Sequence, residues 1–202
     1  WSQMRLECVN GTFIGKKPVI YQVVETTWKT WKEMYPQTRV VSEETGYSRN
    51  YGYYPYGGYK TDDDFLLFPV SNKDDRLPGK DRVHGIIEAG DAKIYTFDLF
   101  GSSTGIIEDN FNNKDLVIVG NQEKNFIASF YRKSLADGQL LNFEAIQDEL
   151  PIIMKDNEGN KWDIFGNAVS GPREGERLEA TKSFIAFWFA WAAFYPELEI
   201  YD

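Results

Sequence analysis

The sequence predicts an α+β protein made of antiparallel sheets and two pseudo-symmetric halves. Short apolar segments recur along the chain, and the connections between them are too short for the crossover helices that parallel strands need. Two Trp-rich segments, each ended by a proline, predict one helix in each half. These segments match at a constant offset of 160 positions, as for Trp28 and Trp188 (188 minus 28). The prediction is therefore a single domain, 1–202, built by internal duplication.

The matched positions set the boundaries of the predicted repeat. Units of about 1–42 and 121–202 are joined by a linking region at 43–120. The other matched pairs are Gly15 with Gly175, Trp31 with Trp191, Tyr35 with Tyr195, and Pro36 with Pro196. Because the same residues occur in both halves, we interpret them as parts of a packed core, with the two helices at its centre.

The first unit is predicted to contain a hairpin, a helix and a closing strand. Polar and apolar residues alternate through 1–24, which indicates two short strands around a turn at 10–11. A threonine at 26–27 can cap a helix that ends before Pro36. A strand at 38–42 follows.

Residues 65–160 are predicted to supply most of the sheet structure, because apolar segments and turn residues alternate there. The predicted strands are 65–70, 82–87, 92–97, 116–119, 126–131, 140–143 and 152–155, with turns at 112–113, 137–138 and 158–159. The second unit adds a helix at 183–196 and a closing strand at 198–201. The apolar run in that helix is much shorter than the roughly 20 residues that span a bilayer, so we expect a buried core helix and no transmembrane segment.

The charge balance makes this an acidic protein. The chain has 22 Lys and Arg against 31 Asp and Glu, which gives a net charge of -9. A negative surface repels phosphate backbones and anionic lipids, so we expect no nucleic-acid partner. Cys8 is the only cysteine, so it has no partner within the chain for a disulfide or for a Cys/His metal cluster.

The most unusual composition lies at residues 45–60, with six tyrosines, four glycines and a proline. Glycine gives this segment the backbone freedom of a loop, and tyrosine provides flat rings with a polar tip. Arg49, Tyr51, Tyr54 and Tyr56 are our candidate ligand- or partner-binding residues, because such rings can stack on a sugar or grip another chain. The alternative is a loop folded over a sheet edge with its rings half-buried.

A second candidate region contains Asp75, Arg82 and the only histidine, His84. This density of ionisable groups fits proton transfer or anion binding, so these three residues are our candidates for catalysis. The alternative is a solvated turn with local ion pairs. Strand alternation places Arg82 and His84 on one face. The chain has no HExxH pair.

Two acidic stretches, 62–64 and 156–160, invite a calcium hypothesis. Neither has the spacing of a twelve-residue EF-hand loop with its closing glutamate, and the second fits a hairpin turn. We therefore expect no metal site and no cofactor.

Five stretches of the chain resemble one bacterial family, catalogued as domain of unknown function 3179. The stretches are TTWKTWKEMYPQTRVVS, SRNYGYYPYGGY, DDRLPGKDRVHGII, DNEGNKWDIFGNAVSGPREG and FWFAWAAFYP. The resemblance implies an exported or membrane-anchored protein, located in the periplasm or at the cell surface. It also implies a further segment before Trp1 with a Cys-Pro-Leu motif, so we expect the first unit to lack its N-terminal part. The family carries no agreed activity.

Two functional hypotheses follow. The preferred one is a non-enzymatic binding or assembly module that presents the tyrosine-rich loop to a glycan or a protein. The alternative is a hydrolase-like enzyme that uses Asp75, Arg49 and Arg82 in a pocket between the two halves. A binder should show an exposed aromatic patch, whereas an enzyme should show a cleft where those ionisable groups converge.

Overall fold

The computed structural model describes every residue from Trp1 to Asp202. Most of its regular structure is antiparallel strand, with two short helices, so the α+β prediction is confirmed. The helices are α1 (Trp28–Met34) and α2 (Trp188–Phe194). The strands are β1 (Arg82–Glu88), β2 (Asp91–Thr96), β3 (Gly105–Phe111), β4 (Lys114–Asn121), β5 (Phe126–Tyr131), β6 (Phe143–Ala145), β7 (Ile152–Asp156), β8 (Lys161–Asp163), β9 (Ala168–Ser170), β10 (Ser183–Phe187) and β11 (Glu199–Ile200).

The strands form three sheets. The first has the order β10-β1-β2-β11, in which only β11 runs parallel to its neighbour; the second is β3-β4-β5 and the third β6-β7-β8-β9. Asn112 and Asn113 join β3 to β4 with positive φ angles of 48° and 61°. Two successive positive φ angles produce the tight turn that suits the twist of a hairpin, as the sequence predicted.

Three buried clusters hold the sheets together. The largest contains Phe126, Phe130 and Trp162, between the second and third sheets. The second lies between α2 and the first sheet, where Trp191 packs against Gly85 so closely that a Cβ there would lie 2.2 Å from the indole. The third joins the first and second sheets. The core therefore belongs mainly to residues after position 82.

The four strands predicted in the N-terminal part are wrong. Residues 1–24, 38–42 and 65–70 contain no strand, apart from one isolated bridge between Ser2 and Glu7. The backbone N–H groups of 17–25 donate to no other backbone group, so this extended segment has no strand beside it. Alternation alone cannot supply a pairing partner, and without one an extended segment is not a sheet strand.

The predicted helix at 183–196 is half wrong. Ser183–Phe187 is strand β10, which pairs with β1, and the helix begins only at Trp188. The β-branched and aromatic residues of Ser183–Phe187 suit the edge of a sheet. Periodicity does not distinguish a strand from a helix in such a short apolar run, so the pairing with β1 determines its structure. The two helices also do not pack together at the centre of one core. Met34 of α1 lies in the largest cluster, and Trp191 of α2 lies in the second.

Candidate functional site

The tyrosine-rich loop lies on the surface of the protein. Tyr51, Tyr54 and Tyr56 are 47%, 38% and 57% exposed, and Tyr47 and Tyr53 are more exposed still. Each ring therefore offers part of its surface to a partner, although Tyr51 and Tyr54 are also about half-buried, as the alternative interpretation expected.

Contacts inside the loop give these rings a defined arrangement. The centroids of Tyr54 and Tyr56 are 5.6 Å apart in an edge-to-face pair, and the Tyr51 hydroxyl lies 2.6 Å from Thr45 Oγ1. Lys60 Nζ lies 4.4 Å from the centre of the Tyr54 ring, a favourable cation–π distance. Arg49 is exposed and forms no ion pair. The loop thus presents aromatic faces and free positive charge together.

A basic cavity of about 430 Å³ adjoins the loop. Lys60, Lys80 and Arg82 line it, and the only acidic residue in its wall is Glu25. The Arg82 guanidinium donates to Glu25 Oε1 at 2.5 Å and to Asn125 Oδ1 at 2.9 Å. Three cations face one carboxylate, which makes this cavity positive in a protein whose net charge is -9.

Lys80 fixes the end of the loop to the first sheet. Its Nζ donates to the Phe65 carbonyl at 2.9 Å and lies 3.5 Å from the centre of the Tyr59 ring, with Phe189 at 4.7 Å. Burial lowers the pKa of Lys80, while the nearby acidic residues at 62–63 oppose that shift. The aromatic faces compensate the buried charge, so Lys80 positions the aromatic residues around it.

Asp75 belongs to a different cavity. A small cavity of about 150 Å³ places it beside Asp63 and Asp74. Arg76 donates to Asp74 at 2.7 Å, and this hydrogen bond lowers the pKa of that carboxyl. This part of the charged stretch is the solvated turn with a local ion pair that formed one interpretation of the sequence.

The residues of the enzyme hypothesis do not converge. Asp75 and Arg82 line separate cavities, and Arg49 lines neither of them. Arg82 and His84 lie two positions apart in β1 and so share one face of the strand, as alternation predicted.

His84 is buried in the middle of β1. Its Nε2 lies 2.8 Å from Ser129 Oγ, and Ser129 Oγ in turn lies 2.5 Å from Thr181 Oγ1 and 3.1 Å from Ser183 Oγ. His84 Nδ1 is buried and has no hydrogen-bond partner. Burial lowers the pKa of His84 to about 3, so the ring is neutral at physiological pH.

Sequence reasoning missed several residues at these cavities. Lys60, Lys80 and Ser129 were not candidates. Ser129 had a usable signal, because it is a polar residue in the middle of the apolar strand FIASFY. Lys80 lies in the charged stretch between Asp75 and Arg82, but two of its aromatic neighbours, Phe187 and Phe189, come from more than 100 positions further along the chain, so its packing could not be predicted.

Two further geometric findings concern metals and membranes. No three His, Cys, Asp or Glu side chains lie where they could share a metal ion. Neither helix has the length and apolar character needed to cross a bilayer.

The fold and this surface define an antiparallel α+β protein with exposed aromatic rings beside a basic cavity. The chain belongs to the family described as "Protein of unknown function (DUF3179)", whose model matches residues 1–198. The resemblance of the five sequence stretches to this family is confirmed. No curated protein and no solved structure matches the chain.

Proposed function

We propose that this protein is a binding module that recognises an acidic glycan. The observation that carries the proposal is the position of the exposed tyrosine rings, including Tyr54 and Tyr56, beside the cavity lined by Lys60, Lys80 and Arg82. The net negative charge of the whole protein repels extended anionic surfaces. The basic cavity still offers one local site for an anion.

The two parts of the site suit the two chemical characters of an acidic polysaccharide. The apolar face of a sugar ring packs on a tyrosine ring, and the tyrosine hydroxyls remain free to hydrogen-bond sugar hydroxyls. The carboxylate of a uronic acid can pair with Lys60, which is exposed. A neutral glycan would use only the first of these interactions.

The family resemblance supports a location outside the cytoplasm, in the periplasm or at the cell surface. Envelope polysaccharides are available there, which agrees with a surface site for an acidic glycan. The hydrolase alternative has less support, because Asp75, Arg49 and Arg82 do not line a common cavity.

The experiment compares binding of a soluble polyuronate and of neutral dextran by isothermal titration calorimetry. We expect the polyuronate to bind more tightly, and its affinity to fall as salt rises, because exposed charges are screened. A variant carrying Tyr54→Ala and Tyr56→Ala should bind at least tenfold more weakly, equivalent to about 1.4 kcal/mol. Phe68→Ala is the matched control, since Phe68 is an 80% exposed aromatic residue outside the loop and its cavity.

Three outcomes would contradict the proposal. Equal affinity for polyuronate and dextran would show that the cations of the cavity do not contribute to binding. Equal loss in the Phe68→Ala control would point to non-specific aromatic adhesion. Capture of a defined protein through the loop, without polyuronate binding, would make the module a protein-binding one.

A further inference from the structure

We infer that a second cavity, covered by the segment 20–25, is a binding site for one neutral sugar ring. The cavity measures about 320 Å³, near the lower end for small-molecule sites. It lies beneath the extended segment 20–25 and above residues 127–129 and 183–185. This inference does not depend on the proposed role of the tyrosine-rich loop.

The segment 20–25 forms a cover over this cavity. Tyr21 and Val23 are 81% and 82% exposed, whereas Gln22 and Val24 are partly buried and line the cavity. No backbone N–H of 17–25 donates to another backbone group. A cover without sheet hydrogen bonds can move aside for a ligand without breaking a strand ladder.

Two buried polar atoms at this cavity have no partner within the protein. They are His84 Nδ1 and Gln22 Oε1, on opposite sides of the boundary between the sheet and the cover. Buried polar groups are normally hydrogen-bonded, so a pair without partners at one cavity indicates a ligand that supplies them.

Gln22 Oε1 and His84 Nδ1 determine which ligand groups the cavity can hold. Ser129 Oγ lies within hydrogen-bonding distance of His84 Nε2, Thr181 Oγ1 and Ser183 Oγ, and Thr181 Oγ1 can also donate to the Ser129 carbonyl. The neutral imidazole carries one proton, so Nδ1 is either its donor or its acceptor. Gln22 Oε1 is an acceptor, and a ligand hydroxyl, which both donates and accepts, can satisfy either atom.

The walls of the cavity exclude a charged ligand. Glu25, the only charged residue in the lining, is already paired with Arg82. Leu6, Ile127 and Ile185 present aliphatic surface. A sugar ring fits this combination, because it has an apolar C–H face and hydroxyl donors and carries no charge.

Ser129 is better suited to holding the histidine than to acting as a nucleophile. Its hydroxyl is shared among His84, Thr181 and Ser183, and no carboxylate contacts His84 Nδ1 to orient the ring as a base. We therefore assign the Ser129 cluster a positioning role for His84.

The test uses the fact that His84 is the only histidine. In protein labelled with ¹⁵N-histidine, the two imidazole nitrogens give one pair of signals, which report the tautomer of the free protein. Titration with glucose and with N-acetylglucosamine should move the Nδ1 signal towards the hydrogen-bonded range and leave Nε2 nearly unchanged. Gln22→Leu should weaken that response at least tenfold, and Phe68→Ala should leave it unaltered.

Val24→Phe is a second variant that fills the cavity and keeps both unpartnered polar atoms. It should abolish the response while the backbone amide spectrum stays folded. The inference is overturned if neither sugar moves Nδ1, or if the response survives both Gln22→Leu and Val24→Phe. Covalent labelling of Ser129 by a fluorophosphonate would instead identify a nucleophile and would also overturn it.

Discussion

The two halves of this protein share backbone hydrogen bonds at matched positions but bury different side chains. The Cys8 N–H donates to the Lys16 carbonyl at 2.9 Å, and 160 positions later the Ala168 N–H donates to the Glu176 carbonyl at 2.9 Å. The helices α1 and α2 also begin and end at matched positions. These matches support our proposal that the halves arose by duplication.

The burial of the matched tryptophans differs completely. Trp188 is fully buried, whereas Trp28 is 51% exposed. In the second half, α2 packs on the first sheet, and Trp191 stacks on Phe184 with ring centroids 4.5 Å apart. The interpretation of the repeated tryptophans as core is therefore right for the second half and wrong for Trp28. Local sequence sets the turns and helix ends, whereas burial depends on what packs against them.

The largest expected effect tests this difference in burial. Trp188→Ala should lower the free energy of unfolding by about 3 to 5 kcal/mol, because it leaves a cavity in the second cluster. The matched substitution Trp28→Ala should cost less than about 1 kcal/mol, since the side chain is half exposed. Urea denaturation of both variants measures the two values. Equal losses would mean that α1 is as well packed as α2.

The next comparison concerns Arg173 and its matched residue, Phe13. Arg173 is buried and its guanidinium donates to Glu158 at 2.6 Å and to Asp137 at 2.8 Å. These hydrogen bonds lower the pKa of both carboxyls and raise that of Arg173. Phe13 is 52% exposed and lies in the same turn of the first half.

Arg173→Leu should therefore lower the melting temperature, although by less than Trp188→Ala does. The matched substitution Phe13→Ala should barely change the melting temperature. Because the folded-state pKa values of Asp137 and Glu158 are depressed, their stabilising contribution is present at neutral pH and is lost as the pH falls through those values. Thermal melts at pH 7 and pH 3 check this, and the gap between wild type and Arg173→Leu should narrow at pH 3. A constant gap would assign the effect to packing alone.

The sequence predicted best where a strand and its partner are neighbours along the chain. Strand β5 has the predicted bounds, and the turn at 112–113 has the predicted geometry. The prediction from sequence failed where the pairing partner is distant or missing. Strand β10 pairs with a strand about 100 positions earlier, and the segment 17–25 pairs with no strand. The tyrosine-rich loop followed from composition, but the partners of His84 come from distant strands and could not be predicted.

A third comparison uses His84, which is covered by residues of both halves. Its folded-state pKa of about 3 lies below the ordinary value of 6.5, so the unfolded chain takes up a proton first as the pH falls. The stability gained by burying the neutral ring is complete above pH 6.5 and declines towards pH 3, by up to about 1.4 kcal/mol for each pH unit. His84→Gln should remove this part of the pH dependence. Urea denaturation from pH 7 to pH 5 measures it, and parallel curves for both proteins would contradict it.

The smallest expected effect reverses the comparison, because here the two halves should respond alike. Gly15 and Gly175 have positive φ angles of 78° and 90°, and a Cβ at either position would meet nothing within 4 Å. Replacing either glycine by alanine therefore costs only the strain of a left-handed backbone, about 1 kcal/mol in each case. Chemical denaturation of Gly15→Ala and Gly175→Ala should give losses that agree within error. A much larger loss for Gly175→Ala would mean that the turn in the second half depends on its packed surroundings, and that the two turns share less than their hydrogen bonds indicate.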